Sequence, residues 1–172
     1  MVQNRIQPWY LIAIVLVLAF SRLVPHPPNA VPIAAMALFA GAFFSNRALA
    51  FMVPLAAMIL SDLVIGFHST VWYVYAGIAA TVLIGSILNH VTVFRVGVAA
   101  VVASIVFYLI TNFGSWLHHE MYTQNLSGLL QSYAAGLPFL RNSLAANLIF
   151  TYLIFFGLNY FLPLRHSLKS SL

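Results

Sequence analysis

Apolar residues fill this chain in long runs, broken by short polar or proline-bearing stretches. A hydrocarbon core of about 30 Å calls for about 20 apolar helical residues, and on that rule six segments stand out. They are about Pro8–Val24, Val31–Phe44, Ala48–Gly66, Thr70–Leu88, Val96–Gly114 and Ser143–Leu162. Trp9 and Tyr10 open the first, as suits the interfacial aromatic belt. PHPPN, residues 25–29, cannot continue a helix, because proline lacks an N–H and clashes with the preceding turn. The second segment is short, with Pro32 in a first-turn position, and Ser45-Asn46-Arg47 makes a polar turn after it. The semi-polar stretch Ser115–Asn142 predicts a loop with a short interfacial helix. Pro163 stops the last segment. The pattern predicts one all-α integral membrane domain over residues 1–172, with six transmembrane helices.

Composition agrees. Of 172 residues, 63% are hydrophobic and only 5% charged, and mean hydropathy is +0.99; soluble domains carry about 25% charged residues. The +5 formal charge comes from scattered single residues, not a basic run of the kind that binds nucleic acid. Cysteine is absent, which excludes disulfides and thiolate metal sites. The first apolar run reads as a span rather than a cleavable signal. With six crossings the termini share a side with Arg5, Arg47, Arg95, Arg165 and Lys169, while Arg22 and Arg141 fall opposite. Positive charge marks the cytoplasmic side, so both termini are expected in the cytoplasm of a bacterial inner membrane.

That orientation loads one face with chemistry. Both acids, Asp62 and Glu120, fall at or toward the outer side, with Arg22, His26, Asn29, His68, Tyr75, Asn112, Trp116, His118, His119 and Arg141. A charged group at the centre of a spanning helix costs about 2.5–3.5 kcal/mol or more, and such groups usually face a bundle interior or a cavity. Arg22 and Asp62 near the ends of two segments therefore suggest a water-accessible pocket; snorkelling and an ordinary ion pair are the plainer account. His26 and His68 sit on short loops, as solvated residues or as hydrogen-bonding or axial ligands; neither has zinc-site spacing. His118-His119-Glu120 cannot all aim at one ion from one helix. Arg141, after Leu137-Pro138-Phe139 and before the last helix, suits an anion at a helix N-terminus or a lipid phosphate. Ala37-x-x-x-Gly41 permits close helix approach, either inside the bundle or against another subunit.

Taken together, RLVPHPPNAVPIAAMALFAGAFF, SDLVIGFH, VYAG, NFGSWL and GLPFLRN resemble an uncharacterised family of small bacterial six-helix membrane proteins assigned to transport. More loosely, the chain is similar to the substrate-binding S components of energy-coupling-factor vitamin transporters, most of all the solitary cobalamin-transporting type. The resemblance runs from Arg22 to about Phe156. It implies a six-helix bundle whose outward-facing pocket is lidded by outer loops, with His26, Asp62, Phe67–Tyr75 and Arg141 where those relatives line it. Some of them ligate cobalt through a cysteine, which this chain lacks, so a histidine or no protein ligand would have to serve.

The expected function is uptake of a small vitamin-like molecule, with cobalamin or a related corrinoid as one candidate substrate. Arg22, His26, Asn29, Asp62, His68, Asn112 and Arg141 would bind it between walls formed by Tyr75 and Trp116. No cofactor or resident metal is expected. No nucleotide-binding motif is present, so energy would come from partner ATPase and transmembrane subunits, or the protein would toggle alone in the lipid bilayer. Two rivals remain. A rhomboid-like intramembrane hydrolase would use Ser115, which has a glycine before it but not the full G-x-S-G context. A structural subunit of a larger membrane complex would use the polar outer face as a protein contact.

Overall fold

The segment Ile33–Phe43 is apolar on every side, and a helix of that kind belongs in an interior. In the computed structural model it forms a helix with Ala35 through Ala40 wholly shielded from solvent. The structure describes residues 8–23, 25, 31–118 and 120–157. Within them the chain is all-helical, and no strand occurs. The helices are α1 (Pro8–Phe20), α2 (Ile33–Phe43), α3 (Arg47–Ile65), α4 (Val71–Ser86), α5 (Val93–His118) and α6 (Leu126–Tyr152). A 3-10 turn, Ser21–Leu23, extends α1, and a π-helical turn, Leu153–Gly157, extends α6. The other helices pack around α2.

Three helices are long and apolar enough to cross a membrane: α3, α5, and α6 with its π turn. The other three are shorter. At 1.5 Å per residue the 11 residues of α2 rise about 16 Å. Burial of α2 from Ala35 to Ala40 explains how a half-length helix is tolerated, because protein rather than lipid surrounds it.

Local chemistry sets the helix ends. Asn46 caps α3, its Oδ1 accepting from the N–H groups of Ala48 (2.9 Å) and Leu49 (3.3 Å). Gly66 ends α3 at φ 104°, a left-handed conformation natural to glycine. Its N–H closes onto the Asp62 carbonyl at 2.8 Å.

The backbones of α2 and α4 approach closely. A Cβ on Gly41 would run into the Val82 carbonyl oxygen, and one on Gly85 into that of Leu38. The Ala37-x-x-x-Gly41 pair thus serves internal packing, with both residues buried.

The sequence expectation fails between residues 115 and 142. In place of a loop, α5 runs on to His118 and α6 begins at Leu126. The physical reason lies in the short connection and in small residues. Asn125 caps α6 by accepting from Gly128 N–H at 3.0 Å. Trp116 Nε1 donates to the Thr123 carbonyl (3.0 Å), and Gln124 Nε2 donates to the Trp116 carbonyl (2.7 Å). Gly128, Ser132 and Gly136, spaced four apart on one face, are buried. Ser132 Oγ donates to the Asn112 carbonyl of α5 at 2.8 Å. Pro138 lies inside α6 rather than in a turn. Arg141 is therefore an exposed mid-helix residue, and no helix N-terminus lies beside it.

Candidate functional site

The 3-10 turn after α1 brings Arg22 against α3. Its Nη1 donates to Asp62 Oδ1 at 2.7 Å, to Ser61 Oγ at 2.6 Å and to Met58 Sδ at 3.4 Å. From α4, the Tyr75 hydroxyl donates to the other carboxylate oxygen, Oδ2, at 2.8 Å. Ser61 Oγ in turn donates to the Met58 carbonyl at 2.8 Å. This cluster links α1, α3 and α4. The Asp62 side chain is only 2% exposed and that of Arg22 15%. Such burial demands these partners, because an unpaired carboxylate there would lose its hydration uncompensated.

Arg22 also borders a cavity of about 450 Å³. Its wall draws on the start of α2 (Val31, Ile33, Ala34), the start of α4 and the turn before it (His68, Thr70, Val74), and the later half of α5 (Ser104 to Ser115). Met121 and Tyr122 of the α5–α6 connection and the middle of α6, from Ala135 to Asn147, complete it. The cavity therefore lies toward the bundle end that carries the α1–α2, α3–α4 and α5–α6 connections. It reaches inward to Ser104, near the midpoint of α5.

At its inner end the wall is a satisfied polar network. Asn147 Nδ2 donates to the Ala100 carbonyl (2.9 Å) and to Ser104 Oγ (2.8 Å). Ser104 Oγ donates to Ala100 at 2.9 Å, and Thr151 Oγ1 donates to Asn147 Oδ1 at 3.2 Å. Further out, Asn112 Nδ2 donates to the Tyr108 carbonyl at 2.9 Å. Gly136 makes room for that amide, since a Cβ there would overlap Asn112 Oδ1. The described wall is thus apolar surface with hydroxyls and amides, one guanidinium and one imidazole, and no carboxylate.

Of the residues singled out in the sequence, Arg22, His68 and Asn112 lie on the cavity wall. Asp62 and Tyr75 stand behind Arg22 in the ion-pair cluster. Trp116 is committed to the α5–α6 connection through its indole N–H. Arg141 is exposed on α6 and is not part of the wall. His26 and Asn29 fall outside the described residues, as does His119. His118 packs its ring against Tyr73, centroids 5.5 Å apart. Among the described residues no three His, Asp or Glu side chains gather as a metal site. Ser115 lies on the wall, but no hydrogen bond joins it to a histidine among the described residues.

Ser104, Asn147, Thr111 and Ser143 also line the cavity and were missed in the sequence. Their signal was faint. A Ser or Asn inside an apolar helix does not announce which way it faces, although Asn147-x-x-x-Thr151 places two polar groups on one face.

A family model described as a family of unknown function (DUF6580) matches residues 2–169. The chain belongs to this family. Neither the curated proteins nor the solved structures contain a match. Within the family member described here, the cavity and the Arg22–Asp62 cluster behind it are the features with a chemical character of their own.

Proposed function

We propose that this protein is a membrane-embedded binding and uptake protein for a small vitamin-like molecule, with its six helices embedded in the bilayer and both termini in the cytoplasm. The single observation that carries the reading is the cavity of about 450 Å³ inside the bundle. That volume lies in the ~300–1,000 Å³ range of drug-sized ligand sites, which combine apolar walls with a few placed polar groups. The wall has that composition. Positive-side residues Arg47 and Arg95 sit at the opposite end from the cavity, which supports a mouth on the outer side.

The resemblance to vitamin-transporter S components supports the same class. The size of the cavity favours a smaller vitamin over a whole corrinoid, which would need the bundle to spread. With the cobalt-ligating cysteine of some of those relatives also missing, cobalamin is the weaker substrate. Energy comes from partner ATPase subunits or from the protein's own movement between inward and outward states.

The test is purification in mild detergent, denaturation and mass spectrometry of whatever small molecule is released. A molecule at near-equal stoichiometry, absent from an Ala135→Phe variant that fills the cavity from α6, is the expected result. Protein that carries no small molecule from any of several growth media, with an unchanged set of co-purifying proteins, would overturn the reading in favour of a structural subunit.

A further inference from the structure

Arg22 belongs to two structures at once. It lines the cavity, yet its contacts to Asp62, Ser61 and Met58 all fall on one nitrogen, Nη1. A guanidinium presents five N–H donors in a planar fork shaped for two-point contact with a carboxylate. Asp62 takes up only one point of that fork, end-on, from behind. Asp62 itself is absent from the wall, and no other acid is present there. The wall thus includes the cation of this ion pair and not its counter-charge.

We propose that the cavity takes a ligand bearing one carboxylate, that this carboxylate pairs with Arg22, and that Asp62 takes up one proton as it does so. This rests on the uptake reading above and gives it a substrate class. Charge requires the proton. A second carboxylate at the same guanidinium sets two negative charges a few ångströms apart in a poorly solvated site, where both cannot stay ionised. In the empty state Arg22⁺ and Asp62⁻ balance; in the bound state Arg22⁺ and the ligand carboxylate balance, and Asp62 is a neutral acid.

The groups facing Asp62 suit the exchange. Among the described residues, Arg22 from the turn after α1 and Tyr75 from α4 hydrogen-bond its carboxylate, and Ser61 from its own helix shares Arg22 Nη1 with it. Tyr75 continues to donate to Oδ2. Ser61 Oγ shares Nη1 with Asp62 and keeps its own hydrogen bond to the Met58 carbonyl when Arg22 turns toward the ligand.

The experiment uses the full chain in lipid nanodiscs and matched acid–amide probes: nicotinate with nicotinamide, biotin with biotinamide, and lipoate with lipoamide. Titration calorimetry in two buffers of different ionisation enthalpy counts the protons. At least one acid is expected to bind tenfold or more tighter than its amide. It should take up close to one proton and bind more weakly as the pH rises. In Asp62→Asn, which keeps the size and hydrogen-bonding groups of the side chain, the acid still binds but takes up no proton and loses its pH dependence. Arg22→Lys keeps the charge without the fork and retains a reduced preference for the acid.

Amides that bind as well as acids overturn the inference and leave the uptake reading standing. So does a neutral or cationic molecule released from the purified protein. Acid binding without proton uptake, or with the same pH profile in Asp62→Asn, also overturns it, as does a blank across all three pairs. Failure of the uptake reading has a separate signature, the absence of any co-purifying small molecule.

Discussion

Replacing Asp62 with alanine removes one partner of a buried ion pair and leaves the other in place. The Arg22 contact at 2.7 Å is charge-assisted and the Tyr75 contact at 2.8 Å is a hydrogen bond to the same carboxylate. Hydrogen bonds to charged groups contribute about 1.5–3 kcal/mol and neutral ones about 0.5–1.5. Stranding a buried partner brings the expected loss to about 3–5 kcal/mol, whereas an exposed pair would give about 0–1. Exposure of 2% and 15% for the two side chains places this pair with the buried class. The assay is reversible unfolding in mixed micelles with increasing SDS, followed by far-ultraviolet circular dichroism. The informative control removes the whole cluster: Arg22→Met, Asp62→Leu and Tyr75→Phe together leave no unpaired polar group. It is expected to recover most of the stability lost in Asp62→Ala, since apolar replacement of a buried pair is often neutral or better. A single-variant loss below about 1 kcal/mol, or a triple variant no more stable than the single one, would refute the reasoning.

Three further outcomes follow from the packing and topology. Gly85→Ala, whose Cβ meets the Leu38 carbonyl, should destabilise by about 1–3 kcal/mol in the same micelle titration. Asn147→Leu keeps the volume but strips Thr151 of its acceptor and Ser104 of a donor; a loss of about 1–3 kcal/mol is expected, together with lost binding of any co-purifying molecule. The chain has no cysteine, so single-cysteine variants report topology without background. In spheroplasts, Ser69→Cys should react with a membrane-impermeant maleimide while Ser45→Cys reacts only after permeabilisation; the reverse pattern would invert the orientation.

What could be read from the sequence divides along physical lines. Long apolar runs bounded by Pro, Gly or a capping Asn gave the cores of α1 to α5, because burial and lipid exposure both select for the same residues. The first half of α6 reads as a loop with a short interfacial helix because Gly, Ser and Gln lower its hydropathy and Pro138 disfavours a continuous helix. Ser132 and Gly136 form the seam against α5 and Gly128 packs on the connection before α6, and their spacing of four was the available signal. Arg22 and Asp62 stood out as charges that are costly in an apolar chain. An ion pair is the plainer reading of the two, but the Tyr75 and Ser61 contacts that complete it were not legible, since the cluster joins residues 40 apart in sequence through a 3-10 turn that no local pattern specifies. Gly136 beside Asn112 is of the same kind: only the helix pair reveals why that position has no side chain.

The length of α6 has a consequence for how a solute reaches the cavity. From Leu126 to Gly157 it is 32 residues long, about 48 Å at 1.5 Å per residue, against a hydrocarbon core of about 30 Å. Tilt alone would have to exceed about 50° to hide it, beyond the 0–40° seen for membrane helices. Part of the helix therefore stands outside the hydrocarbon, and in the proposed orientation it is the opening turns, braced by the Trp116–Thr123 and Tyr133–Leu109 hydrogen bonds, that form a parapet. On the uptake reading proposed above, the rim beside them would lie at headgroup level or higher, and a polar solute would meet it from water without first dissolving in the lipid.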